Sequence, residues 1–365
     1  MNSPMQRERT PGFIPPQENP ALAELERAWR RLLAAEPKIR IREAAARLAV
    51  PELRLLTLHC GRSVIRLRPD WGRLLGEARR LGTVLALTRN DHAVHENYGN
   101  YPKGSIGSGA ARLSGDGFEL SLALERCSSA FAVTEEGAGG PRRSLQFFDR
   151  HGDAAHKIYL TAGSRSEVYR NLVANCASAD QSRRQAILPR TVTKRRPATD
   201  TDRLQLVRQW RGLWDESGFL PLLERLELDE VQALEMADDD LARPVANDSV
   251  GHILQLASNL GIALRIAVAN GAAEQACSGP IHNIRRTGPW LNVLDEGFNL
   301  HLREERIDSS WVIRLPLADS GVAASLATFD AGGNPIARFF SADRSGCGET
   351  WKDLLGALPS RQEQR

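Results

Sequence analysis

Three of the eight histidines stand where an imidazole could do chemistry. His95, His156 and His301 fall in or beside strand-like alternation. An imidazole there either offers a lone pair to a metal or closes a hydrogen bond inside the fold. The second use is the commoner for a lone histidine near a sheet. His301 differs from the other two because it projects from the polar face of Phe298-Asn299-Leu300-His301-Leu302. Other reactive residue types point to no chemistry. The five cysteines (Cys60, Cys127, Cys176, Cys277, Cys347) are odd in number and far apart, so they spell neither a disulfide ladder nor a zinc site. A reducing compartment, the cytoplasm, is therefore expected. No nucleophilic triad and no metal-ligand cluster is apparent. Gly104–Gly109 (GSIGSG) is glycine-rich but lacks the strand-to-helix setting of a phosphate loop.

The stretch that positions these residues occurs twice. Ser144–Tyr159, SLQFFDRHGDAAHKIY, reads strand, Asp/Gly turn, strand, and a degraded copy returns as Ser325–Phe340, SLATFDAGGNPIARFF. Further back, Gly117–Leu122 matches Gly297–Leu302 at an offset of 180 residues. Arg126, Ser129 and Phe131 fall on Arg306, Ser309 and Trp311 at the same offset, and Ser121 falls on His301. This is an internal duplication, and two copies of one unit facing each other are expected to leave a cleft. The fold class is α+β: two similar halves, each with N-terminal helices and an antiparallel meander.

At 365 residues and 42% hydrophobic, the chain can bury two cores of ordinary size. A net charge of +3 argues for neither nucleic acid nor anionic lipid. No apolar run is long enough for a membrane span. Residues 1–20 lack the apolar region of a secretory signal and read as a Pro-rich, poorly ordered tail. The first repeat is read as residues 21–162, a linker carrying one helix as 163–203, and the second repeat as 204–360.

Within the first repeat, Pro20–Ala35 has helical period, with Leu22, Leu25, Ala28, Leu32 and Leu33 on one face. Residues 41–55 then offer two short helices with basic residues, either a DNA-reading helix-turn-helix or a helical hairpin packed under a sheet. Tyr98–Gly109 reads as a long loop between strands. In the linker, the run Lys194-Arg195-Arg196-Pro197 reads as a solvated charged segment. Thr201 or Asp202 is expected to cap the helix that opens the second repeat.

TRNDHAVHENYGNY (Thr88–Tyr101), SLQFFDRHGDAAHKIY (Ser144–Tyr159) and WLNVLDEGFNLHLREERIDSSWVIRLP (Trp290–Pro316) resemble the signature stretches of the HemS/ChuS hemin-degrading factor family. The resemblance implies a cytoplasmic protein of bacterial heme uptake, with one heme in a cleft between two similar halves. It also implies an axial histidine in a D-x-H-x-F-F pattern, written here Asp215-Glu216-Ser217-Gly218-Phe219-Leu220, so that Ser217 holds the ligand position. A distal arginine falls on Ser121, a pocket arginine on Glu230, a propionate-binding lysine on Leu315 and a pocket tyrosine on Phe340. The residues left to meet a ligand are Ser217, Ser121, His301, Arg314, Arg338 and Phe340.

The function expected from these residues is heme handling, carrier-like, with weak or altered ligation. Any enzyme activity would be oxidative heme degradation, by resemblance alone. The alternatives are a non-heme small-ligand module on the same fold and a DNA-binding regulator acting through residues 41–55. The expected partners are heme or another flat anionic small molecule and a second copy of the chain; nucleic acid is not expected.

Overall fold

Period-2 alternation builds most of the chain. The computed structural model describes residues 20–137, 139–190, 196–317, 321–342 and 349–361. The tail through residue 19, Lys194, Arg195 and Cys347 lie outside the described residues. The first half contains α1 (Pro20–Ala35), α2 (Ile41–Arg47), α3 (Glu52–Leu56), β1 (Val64–Leu67), α4 (Trp71–Ala78), β2 (Gly82–Arg89) and β3 (Ala93–Asn100). It continues with β4 (Lys103–Ile106), β5 (Ala110–Gly115), β6 (Phe118–Ala123), β7 (Cys127–Gly137), β8 (Gly140–Asp149), β9 (Ala154–Ser164) and α5 (Ser166–Cys176). The second half repeats this as α6 (Asp200–Trp210), α7 (Phe219–Leu226), α8 (Glu230–Met236), β10 (Ala242–Val245), α9 (Ser249–Leu260), β11 (Leu264–Ala269) and β12 (Ala273–Gly279). Then come β13 (Ile284–Thr287), β14 (Trp290–Leu294), β15 (Phe298–Leu302), β16 (Ser309–Leu317), β17 (Gly321–Phe329), β18 (Pro335–Ser341) and α10 (Glu349–Gly356).

The strands form two nine-stranded antiparallel sheets, ordered β1-β7-β8-β9-β2-β3-β15-β14-β13 and β10-β16-β17-β18-β11-β12-β6-β5-β4. Exchanging each strand for its repeat equivalent turns one order into the other, so both halves follow one plan. They do not keep separate meanders, however. Strands β4–β6 complete the second-half sheet and β13–β15 complete the first. Phe118 of β6 lies opposite Cys277, and Phe298 of β15 lies opposite Asn97, so the exchange repeats the 180-residue symmetry. Alternation says which residues face inward but not which strand lies alongside; two near-identical edges are interchangeable in pairing. The expected loop at Tyr98–Gly109 is largely strand for the same reason. Gly104 sits in β4 because a Cβ there would meet the Arg112 carbonyl oxygen at 1.9 Å.

The inner faces pack on α4 and α5 in one sheet and on α9 and α10 in the other. Helix α5, assigned from sequence to the joint, buries Tyr169, Leu172 and Cys176 in the first-sheet core. The outer faces are covered at one end only: α1–α3 sit over β1, β7 and β8, and α6–α8 over β10, β16 and β17. Residues 41–55 form the packed helical hairpin. Leu53, Leu55 and Leu56 are buried and α3 has five residues, which overturns the DNA-reading alternative. Helix α6 is capped by Thr199, with Asp202 closing a capping box as its third residue, rather than by Thr201 or Asp202. Arg196, the described end of the basic run, is held by Asp202 and by the Leu226 carbonyl.

Candidate functional site

The helix-free part of the second sheet's outer face carries Ser121, Arg338 and Phe340, three of the residues singled out from sequence. Register places Arg338 beside Ala267, Phe340 beside Arg265, and Ser121 between Glu274 and Arg112. Arg314 is not among them. It pairs with Ala324 in the alternate register and so extends to the opposite face from Trp311, Ile313 and Leu315. Leu315 is buried under α6–α8.

The cations of this face are already used. Arg338 is bound to Glu230, the first residue of α8. Arg265 donates to Glu119 (3.1 Å) and Glu274 (3.3 Å), and its guanidinium lies 5.1 Å from the Phe340 ring centroid. Burial would lower the proton affinity of Arg265, but the two carboxylates outweigh it and hold the guanidinium charged. At the edge of the helical cap, Ser217 lies exposed in the turn Glu216–Gly218. Its amide and hydroxyl both donate to Asp215 Oδ1, at 2.8 and 2.5 Å, and those bonds hold the carboxyl below its ordinary range. Trp214 and Leu220, flanking it in sequence, are 75% and 57% exposed. The position expected to carry an imidazole thus offers a hydroxyl engaged with its neighbour. These residues do not fit an iron porphyrin.

His301 stands on the other sheet, at the equivalent of Ser121. Its Nδ1 is 2.6 Å from Asn292 Oδ1 and its Nε2 is 4.0 Å from Glu96 Oε2. Burial lowers its pKa against the opposing pull of Glu96. Around it on the same outer face lie Val94 and the buried cluster Leu85, Leu87 and Tyr159. The remaining two histidines are structural. His95 donates from Nε2 to the Ile266 carbonyl (3.1 Å) and accepts at Nδ1 from Gln275, its own repeat equivalent. His156 bonds Thr88 Oγ1 at 2.8 Å and stacks on Phe147. Burial drops the pKa of each to about 3.

Sequence reasoning missed the hub between the halves. Asn90 Oδ1 accepts from His92 and Ala93 while its Nδ2 donates to the Ala269 and Ile336 carbonyls. Asn270 mirrors it, accepting from Ala272 and Ala273 and donating to the Arg89 and Ala155 carbonyls. The two asparagines line a polar cavity of 310 Å³ together with Arg89, His92 and Asp330. The equivalence of residues 90 and 270 is the signal that could have found them.

A doubled α+β unit with exchanged strands and two half-open outer faces defines the class of protein. The model of the haemin-degrading HemS.ChuX domain matches residues 49–176 and again 227–358. The chain belongs to that family. The hemin transport protein HmuS of Yersinia pestis is 32% identical over 339 residues, 92% of this chain and 97% of that one. The hemin transport protein HemS of Yersinia enterocolitica is 32% identical over 323 residues, covering 88% and 93%. Among solved structures, holo-PhuS, a heme-binding protein from Pseudomonas aeruginosa, superposes with a TM-score of 0.86 at 33% identity, covering 93% of this chain and 99% of that one.

Proposed function

We propose that the chain is a cytoplasmic heme-handling protein that carries heme rather than opening it, with ligation different from that implied by its resemblance. One observation carries the reading: the doubled frame shared with hemin transport and heme-binding relatives is intact, while the expected ligand position is Ser217 and the cation Arg338 is neutralised by Glu230. Bound heme would supply redox iron. Ring opening needs that iron held with an open, tuned distal side, and neither Ser121 nor Ser217 offers a group for it. A non-heme small ligand on the second sheet is the second reading, favoured by the helix-free outer face on which Phe340 lies beside Arg265.

The test is a hemin titration followed by transfer to apomyoglobin and by incubation with ascorbate. A Soret band, intact transfer and a band stable to ascorbate are expected. Absence of a band favours the non-heme reading; bleaching with release of iron makes the chain a degrader.

A further inference from the structure

We propose that the outer face of the first sheet is the heme-binding surface of this chain, with His301 Nε2 as axial donor and Arg142 as a cation that meets a propionate. This rests on the heme-handling reading and assigns its site.

The first argument is the comparison between repeats. His301 stands at the equivalent of Ser121, while Leu85, Leu87 and Val94 stand at the equivalents of Arg265, Ala267 and Glu274. The paired charges Arg265 and Glu274 are thus replaced by leucine and valine on the first sheet, whose own charges on this face, Glu96 and Arg89, stand where the second sheet has Ala276 and Ala269. Next to this buried floor, Tyr98 and Leu294 keep 40% and 37% of their surfaces exposed. Large apolar side chains on a sheet face with no helix over them suit a flat, apolar ring system.

The second argument fixes which nitrogen of His301 is free. Asn292 Nδ2 donates to the carbonyls of Arg285 and Trp290, both at 3.1 Å, so the orientation of the amide is set by two bonds. Its Oδ1 therefore faces the imidazole, and at 2.6 Å the His301 Nδ1 must carry the hydrogen. The lone pair is left on Nε2, whose nearest acidic oxygen, on Glu96, is 4.0 Å away and beyond hydrogen-bond reach. A metal-ligating histidine is oriented in this way, by donating its other nitrogen to a fixed acceptor.

The third argument is charge. Arg142 lies 3.8 Å from the Tyr159 ring centroid, at one border of the apolar floor. Among the described residues the Arg142 guanidinium is in no ion pair, whereas Lys157 on the same face is occupied by Glu52. A guanidinium held by a ring face and not by a carboxylate complements a carboxylate of heme. Finally, Thr88–Tyr101, Ser144–Tyr159 and the first part, 290–302, of Trp290–Pro316, the stretches that carry the family resemblance, lie on adjacent strands β8, β9, β2, β3, β15 and β14 of this sheet, while the rest of the third stretch enters β16 of the other. The departures from the family pattern at Ser121, Glu230 and Phe340 gather on the other.

Hemin titrations of the full chain test the assignment, with His301→Ala, His301→Cys and the exposed-histidine control His151→Ala beside the unmodified protein. A nitrogen-donor spectrum is expected for the unmodified chain and the control. His301→Ala should weaken binding at least tenfold and lose that spectrum, with added imidazole restoring it; His301→Cys should give a thiolate-type spectrum, a change that misfolding does not produce. Arg142→Ala should weaken binding by about 10- to 100-fold without moving the band. If the unmodified chain binds hemin and both His301 variants keep its band and affinity, the site lies elsewhere although heme handling stands. If the unmodified chain gives no band, both readings fall.

Discussion

Removing Lys157 should destabilise this chain more than removing any surface charge, because Lys157 is one half of a pair sealed under α3. The Lys157 and Glu52 side chains are 8% and 3% exposed, and the ammonium hydrogen-bonds the carboxylate. Burial alone would raise the pKa of Glu52 and lower that of Lys157; each partner overrides that effect in the other, so the acid is held below 4.5 and the base above 10.5. The sign follows. The Glu52 contribution is complete above its ordinary pKa and is lost as pH falls through the lowered folded value. The Lys157 contribution is complete below 10.5 and is lost as pH rises through the raised one. At pH 7 the pair is fully formed, and either Lys157→Met or Glu52→Gln leaves an unmatched buried group, costing about 3–5 kcal/mol for the uncompensated charge. The double variant Glu52→Gln/Lys157→Met buries no charge and should cost less than the two single changes together, by roughly 2 kcal/mol or more. Urea unfolding of the four proteins at pH 7, read as midpoint and slope, closes the cycle. Single-variant losses below about 1 kcal/mol, or strict additivity, would refute the reasoning.

The repeat-equivalent Arg338–Glu230 pair is looser, at 20% and 9% exposure. Ser217→His should therefore add a second hemin equivalent of low affinity, and Glu230→Gln on top of it should tighten that site by about 10- to 100-fold by freeing Arg338; unchanged stoichiometry in both titrations would count against the placement of Ser217. Asn270→Ala strands the Arg89 and Ala155 carbonyls at the hub, and a loss of roughly 1–3 kcal/mol for each group left buried and unpaired is expected in chemical denaturation. His95 and His156 stay neutral down to about pH 3, whereas the unfolded chain takes up their protons near pH 6.5. Stability should fall on acidification below that point by up to about 1.4 kcal/mol per pH unit for each imidazole, and a flat profile between neutrality and pH 5 would contradict their burial.

The duplication was legible because Phe118/Phe298 and Ser129/Ser309 keep one offset, and the structure returns that offset as the same strand order in both sheets. The structural use of His95 and His156 was legible too, since a histidine in an apolar strand has few other fates. What stayed hidden was partnership across the chain. Nothing local to Phe118–Ala123 says that the edge not taken by β5 pairs with β12 rather than with another strand of its own half, and Trp29 was overlooked on α1 although it is that helix's buried residue. The pairing of Arg265 with Glu119 joins residues 146 apart and exists only because β6 crosses over. The state of His301 likewise depends on Asn292, which alternation places on the neighbouring strand without saying which way its amide points.

Hemin titrated into the unmodified chain, followed in the Soret region and by low-temperature EPR of the ferric complex, addresses the central claim most directly. Saturation at a single equivalent with a nitrogen-donor signature is the expected result, and His301→Ala should abolish that signature. A spectrum indistinguishable from hemin in buffer, or a saturated complex that His301→Ala leaves untouched, would contradict it.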